Sequence, residues 1–147
     1  MWDVFKKQFQ AAVPFVNTLG IIVTDINSGT AEATLAVTPE LANHLGTLHA
    51  GAMFTLAETA SGAAMTGALG AKVFELRAVA ATSDISYKKL AKGVITARAK
   101  TSIPAADINK TLEEEGKVRF AVNIELLDES EEIVALVNVD WHVSPKR

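Results

Sequence analysis

Between Asn43 and Glu58 the sequence reads NHLGTLHAGAMFTLAE, and it gathers most of the residues in the chain that could do chemistry together. Two of the three histidines, His44 and His49, fall in it, with Gly46 and Gly51 beside them. Glu58 is a lone carboxylate two turns into an apolar run of small residues. A buried acid is expensive there unless it is partnered or used. The start of a helix offers free N–H donors and a partial positive charge. The Ala50 and Gly51 amides are thus placed to hold a developing oxyanion, and Glu58 can serve as general base or as nucleophile. Asn43 can hold a water or a carbonyl through its amide, and His49 is better suited to fixing the loop or the substrate than to carrying the proton. Each residue also has an ordinary reading: Asn43 as a turn residue, His49 as a hydrogen-bonded structural histidine, Glu58 as the partner of Arg77 or Arg98. His44, His49 and Glu58 lack the spacing of a zinc helix, so no metal and no cofactor is expected.

Several elements must position these residues. A helix is expected from roughly 51 to 69, ending near Gly70, with a middle crowded by Ala57, Ala60, Ser61, Gly62, Ala63, Ala64, Gly67 and Ala68. Each interior glycine costs about 1 kcal/mol relative to alanine. Such a helix makes sense pressed closely against a sheet that curls around it. Before it, Trp2, Phe5, Phe9 and Val13 recur at helical spacing, and Pro14 should stop that helix. Strands are expected over Gly20–Asp25 and, after the turn Asn27-Ser28-Gly29, over the alternating Ala31, Ala33, Leu35 and Val37, ending at Pro39. Four more candidates follow, at 77–88, from Gly93 to Lys100, at 118–126 and at 133–141. Ser102 to Gly116 reads as a long irregular connection, with a short helical turn where Thr111 and Glu114 have capping-box spacing. Helix, two strands, long helix and four strands argue α+β, one antiparallel sheet wrapped around one central helix.

Composition narrows the class. A chain of 147 residues is most simply one domain, 1–147, and 49% hydrophobic content points to extra buried surface at a subunit contact. A net charge of −3 gives no reason to expect nucleic acid. There is no cysteine, hence no disulfide, thiolate nucleophile or cysteine-ligated zinc. Nothing is apolar enough to span a membrane, and Pro14, Asn17 and Gly20 interrupt any signal-like stretch, so a cytoplasmic protein is the default.

The order of elements and the central motif resemble the hotdog fold, and specifically the acyl-CoA thioesterases of the PaaI type. That family's pattern is an Asn, a Gly three residues on, His-Gly-Gly, and an acid nine residues after the His. It falls here on Asn43, Gly46, His49-Ala50-Gly51 and Glu58, with Phe54, Leu56 and Ala57 also matching. Ala50 stands in place of a glycine but keeps the N–H at the family's donor position, and Glu58 stands where aspartate is usual. A serine of some relatives is Ala80 here, for which Thr82, two residues on, is the expected substitute. The resemblance implies acyl-CoA as substrate, hydrolysis to acid and CoA, no metal, and a homodimer whose sites are shared, with two dimers able to pair further. It makes Gly46, Phe54 and Thr82 substrate-binding residues. Arg77, Lys88, Lys89, Lys92, Arg98 and Lys100 would then grip the CoA phosphates or form an ordinary solvated face. Two other classes stay open: an enoyl-thioester hydratase or dehydratase, and a non-catalytic acyl-CoA-binding protein.

Overall fold

The computed structural model describes residues 2–146. Helix α1 (Trp2–Ala12) ends before Pro14, and that proline opens a second short helix, α2 (Pro14–Leu19), at a position where its missing N–H costs nothing. Strands β1 (Ile22–Asn27) and β2 (Thr30–Ala36) form a hairpin, and a single 3-10 turn (Pro39–Leu41) leads to the long helix α3 (Ala50–Leu69). A 3-10 turn (Gly70–Glu75), β3 (Leu76–Tyr87), β4 (Val94–Thr101), α4 (Ala105–Glu115), β5 (Val118–Leu127) and β6 (Ile133–Pro145) complete the chain. All pairings are antiparallel, in the order β1-β2-β4-β5-β6-β3. One six-stranded sheet therefore wraps one helix, which is the hotdog fold.

Small residues make the wrap possible. Ala31 and Ala33 of β2 and Ala97 and Ala99 of β4 are buried against the alanine-rich face of α3. Gly67 lies so near the β1–β2 turn that a Cβ would fall on the Asn27 carbonyl oxygen. Larger side chains of β5 and β6, from Phe120 and Val122 to Val139 and Trp141, fill the other side of the core.

One expectation fails outright. Ser102–Gly116 is not an irregular connection, because most of it is α4, an 11-residue helix that begins after Pro104 and is closed by Gly116 at φ 74°. Its buried stripe is only Ile108 and Leu112, too short to stand out against the acidic tail that follows. Thr111 therefore lies inside the helix and caps nothing.

The two edges of the sheet differ. At β1 the Gln10 side chain from α1 accepts the Val23 N–H at 3.0 Å and donates to the Ile21 carbonyl at 2.7 Å, while the Lys6 ammonium reaches the Thr24 carbonyl. At the other edge β3 is uncovered: none of its 12 residues is buried, and Val79 and Tyr87 are exposed.

Candidate active site

His49 sits just outside α3 in a non-helical conformation (φ −60°, ψ 141°) and caps it: the Gly51 N–H donates to its Nδ1 at 2.8 Å. For Nδ1 to accept, the ring proton must sit on Nε2, so this imidazole presents a donor outward and not a base. The carbonyl of the same peptide, Ala50 C=O, receives the Tyr87 hydroxyl from the end of β3 at 3.2 Å. The Ala50–Gly51 peptide is thus held at both ends. Met53 N–H bonds to the His49 carbonyl as the helix begins, and the Ala50 N–H has no acceptor among the described residues. Of the two amides expected as oxyanion donors, Gly51 is committed to the imidazole and Ala50 alone is free. Tyr87 carries no local signal in the sequence, because it stands at a strand end 37 residues from Ala50.

The loop before the helix is organised by Asn43. Its Oδ1 accepts the N–H groups of Leu45 (2.9 Å) and Thr47 (3.1 Å), and its Nδ2 donates to the Thr47 hydroxyl at 2.8 Å. Backbone bonds from Asn43 N–H to the Thr47 carbonyl and from Gly46 N–H to the Asn43 carbonyl close the same turn, with Gly46 at φ 77° where other residues are strained. Asn43 therefore keeps one amide hydrogen for a ligand, and its carbonyl is spent on the loop.

Glu58 lies on the one open stripe of α3. Ala50 and Gly51 are exposed and Phe54, Thr55 and Glu58 half-buried, all on one side of the helix by its 3.6-residue period, whereas everything from Thr59 to Leu69 is buried. No hydrogen bond or ion pair reaches the Glu58 carboxylate among the described residues, and burial alone raises its pKa. Arg98 is not its partner: that guanidinium binds Glu32 through Nε (2.7 Å) and Glu131 through both terminal nitrogens, and these bonds raise its own pKa. Two depressions lie elsewhere, one across the outer face of the sheet between Asp84 and Arg98 and one between α1 and β1, and neither is lined by Glu58 or His49.

Two substrate-contact expectations change. Thr82 does not share a face with Ala80, because a β-bulge falls between them: Ala80 pairs with the inward Trp141, Thr82 with the outward Asp140. The Thr82 hydroxyl donates to the Asp140 carboxylate at 2.7 Å, on the side of the sheet away from α3. Lys89 is already paired, with Glu132 and, at 3.8 Å, Asp128, in the β5–β6 turn. Lys88, next to it, is exposed and makes no ion pair among the described residues.

The family model described as a domain of unknown function, DUF4442, matches residues 2–143. No curated protein matches the chain in sequence. Among solved structures, a Pseudomonas aeruginosa protein of unknown function, named a probable thioesterase, is 22% identical with a TM-score of 0.84, covering 98% of this chain and 95% of its own. PaaI of Escherichia coli, from the phenylacetic acid degradation operon, is 23% identical with a TM-score of 0.71, covering 95% and 93%. A hypothetical thioesterase of Streptococcus pneumoniae, solved with coenzyme A, is 19% identical with a TM-score of 0.72, covering 96% and 98%.

Proposed function

The chain belongs to the DUF4442 family and has the hotdog fold of PaaI-like thioesterases, and on that premise we propose that it is an acyl-CoA thioesterase, cleaving a thioester to the free acid and CoA. The observation that carries the reading is Glu58: an unpaired, half-buried carboxylate on the open stripe of the helix whose first N–H is free. Carboxylates kept without partners in apolar surroundings are the ones poised for proton transfer or attack. As a base, Glu58 takes a proton from the water that attacks the carbonyl carbon. As a nucleophile, it attacks the same carbon to give a mixed anhydride that water then opens. In both routes the carbonyl oxygen gains charge that the Ala50 N–H and the His49 Nε2–H stabilise, and CoA leaves as the thiolate and is then protonated.

The working unit in this proposal is a homodimer with shared sites. Glu58 lies eight residues beyond Ala50, about 12 Å along the helix axis, whereas reacting atoms must come within roughly 3–3.5 Å. One copy of α3 cannot readily aim both at one thioester. A two-fold partner with its helix antiparallel brings its own Glu58 to the first subunit's loop, and the uncovered β3 edge supports pairing there.

The test is release of free thiol from a panel of acyl-CoAs, with Glu58→Gln beside the wild type. Loss of base catalysis should cost on the order of 10²–10⁴-fold in kcat with acyl-CoA binding retained. A variant that turns over within a few-fold of wild type ends the assignment.

A further inference from the structure

The open stripe of α3 has an end. Continued along the same face of the helix, it passes from Phe54 and Glu58 to Ser61, Gly62 and Met65, all of them buried. Two side chains from different elements close it. Trp141 of β6 donates its indole N–H to the Ser61 hydroxyl at 3.2 Å, and Ser61 in turn donates to the Glu58 carbonyl at 2.7 Å. Phe9 of α1 lies over Gly62, so close that a Cβ there would stand 3.3 Å from the ring, with the Trp141 ring 3.6 Å away. The absence of a side chain at position 62 is what lets both aromatic groups come this close to the helix. Gly62 is four residues past Glu58, about 6 Å along the axis.

We propose that the substrate carries a compact acyl group, and that Phe9 and Trp141 form the wall that sets its size. The inference rests on the thioesterase reading above. With the reacting carbon at a Glu58 carboxylate, where the open stripe ends, an acyl group that enters the core along the same helix face meets this wall after about 6 Å, the reach of roughly four to six carbons in a chain or of one ring. The wall is rigid on its Trp141 side, because the indole is buried and hydrogen-bonded. Its adjustable half is Phe9, which is only partly buried.

The experiment is the chain-length profile of kcat/KM on straight-chain acyl-CoAs from acetyl to palmitoyl. Each methylene that finds apolar contact should add up to about fourfold. The rise should stop near hexanoyl, and dodecanoyl-CoA should fall at least tenfold below the optimum. Phe9→Ala should move the break several carbons longer, and Phe9→Leu, which spares more of the packing, should move it part of the way if the alanine variant does not fold. Palmitoyl-CoA handled as well as hexanoyl-CoA, or a folded Phe9 variant with the wild-type profile, overturns the size wall and leaves the thioesterase reading intact. Hydrolysis of no thioester in the panel removes both.

Discussion

At the level of single residues, the role proposed for Glu58 sets stability against activity. Burial raises its folded-state pKa, so the folded protein favours the neutral acid. The sign follows: the stabilising contribution is complete below the unfolded glutamate value and is lost as pH rises through the higher folded value. At neutral pH an ionised Glu58 therefore strains the fold that it serves. Glu58→Gln should raise Tm by roughly 2–4 °C at neutral pH, and thermal melts below about pH 4 should show no such gain. On the proposed mechanism the acid limb of kcat/KM should lie above the ordinary glutamate range, because the carboxylate would work in its ionised form. A limb at the ordinary value would mean that the carboxylate is not the group titrating. Tyr87 acts more quietly. It grips the Ala50 carbonyl while His49 grips the Gly51 N–H, so the first peptide of α3 cannot swivel. Tyr87→Phe removes one neutral hydrogen bond, which predicts a two- to tenfold lower kcat at roughly constant KM. The Gly51 amide resonance should shift with it; a resonance that stays put would show that the phenol does not act on this peptide.

At the level of elements, close approach is the theme. Gly67→Ala should be the most damaging one-methyl change on α3, because the added carbon meets a backbone carbonyl that belongs to a tight turn. A loss of about 1–3 kcal/mol is expected, read from denaturant midpoints. The same change at Gly62 meets the edge of a movable ring and should cost less. Period and composition made α3 and the strand set readable from the sequence, since small residues at helical spacing and alternating β-branched residues each carry their own signal. The bulge at Ala80–Thr82 was hidden, because a period-two reading assumes an unbroken pleat and one extra residue turns Thr82 to the opposite face. Helix α4 was hidden for a different reason: two buried residues in 11 make a stripe too thin to see. In the candidate site, residue types and spacing single out His49, Asn43 and Glu58. Which hydrogen bonds the first two had already committed to their own loop depends on backbone angles that spacing does not encode.

At the level of the molecule, the shared site can be tested by mixing damaged subunits. Asn43→Ala disturbs the loop that delivers the Ala50 N–H, and Glu58→Ala removes the acid. If the two groups act across a two-fold axis, a heterodimer of these variants has one intact site and one doubly damaged site. After joint unfolding and refolding, activity should return to roughly a quarter of wild type with random pairing. No recovery despite verified subunit exchange would place both groups in one chain.

The contrast between the two sheet edges limits what such a chain can build. Gln10 lends β1 a side-chain amide in the place of a neighbouring strand's peptide, satisfying the groups of Ile21 and Val23 that would otherwise recruit another chain. Among the described residues β3 is the sheet edge with no such cover, and in the proposed homodimer it is the edge consumed when two copies meet. Growth along the strand-pairing direction then halts at two. A 12-residue uncovered strand would be an invitation to fibre formation in a chain sticky on both sides; with the start of the other edge covered by a glutamine, the pairing proposed at β3 closes at two.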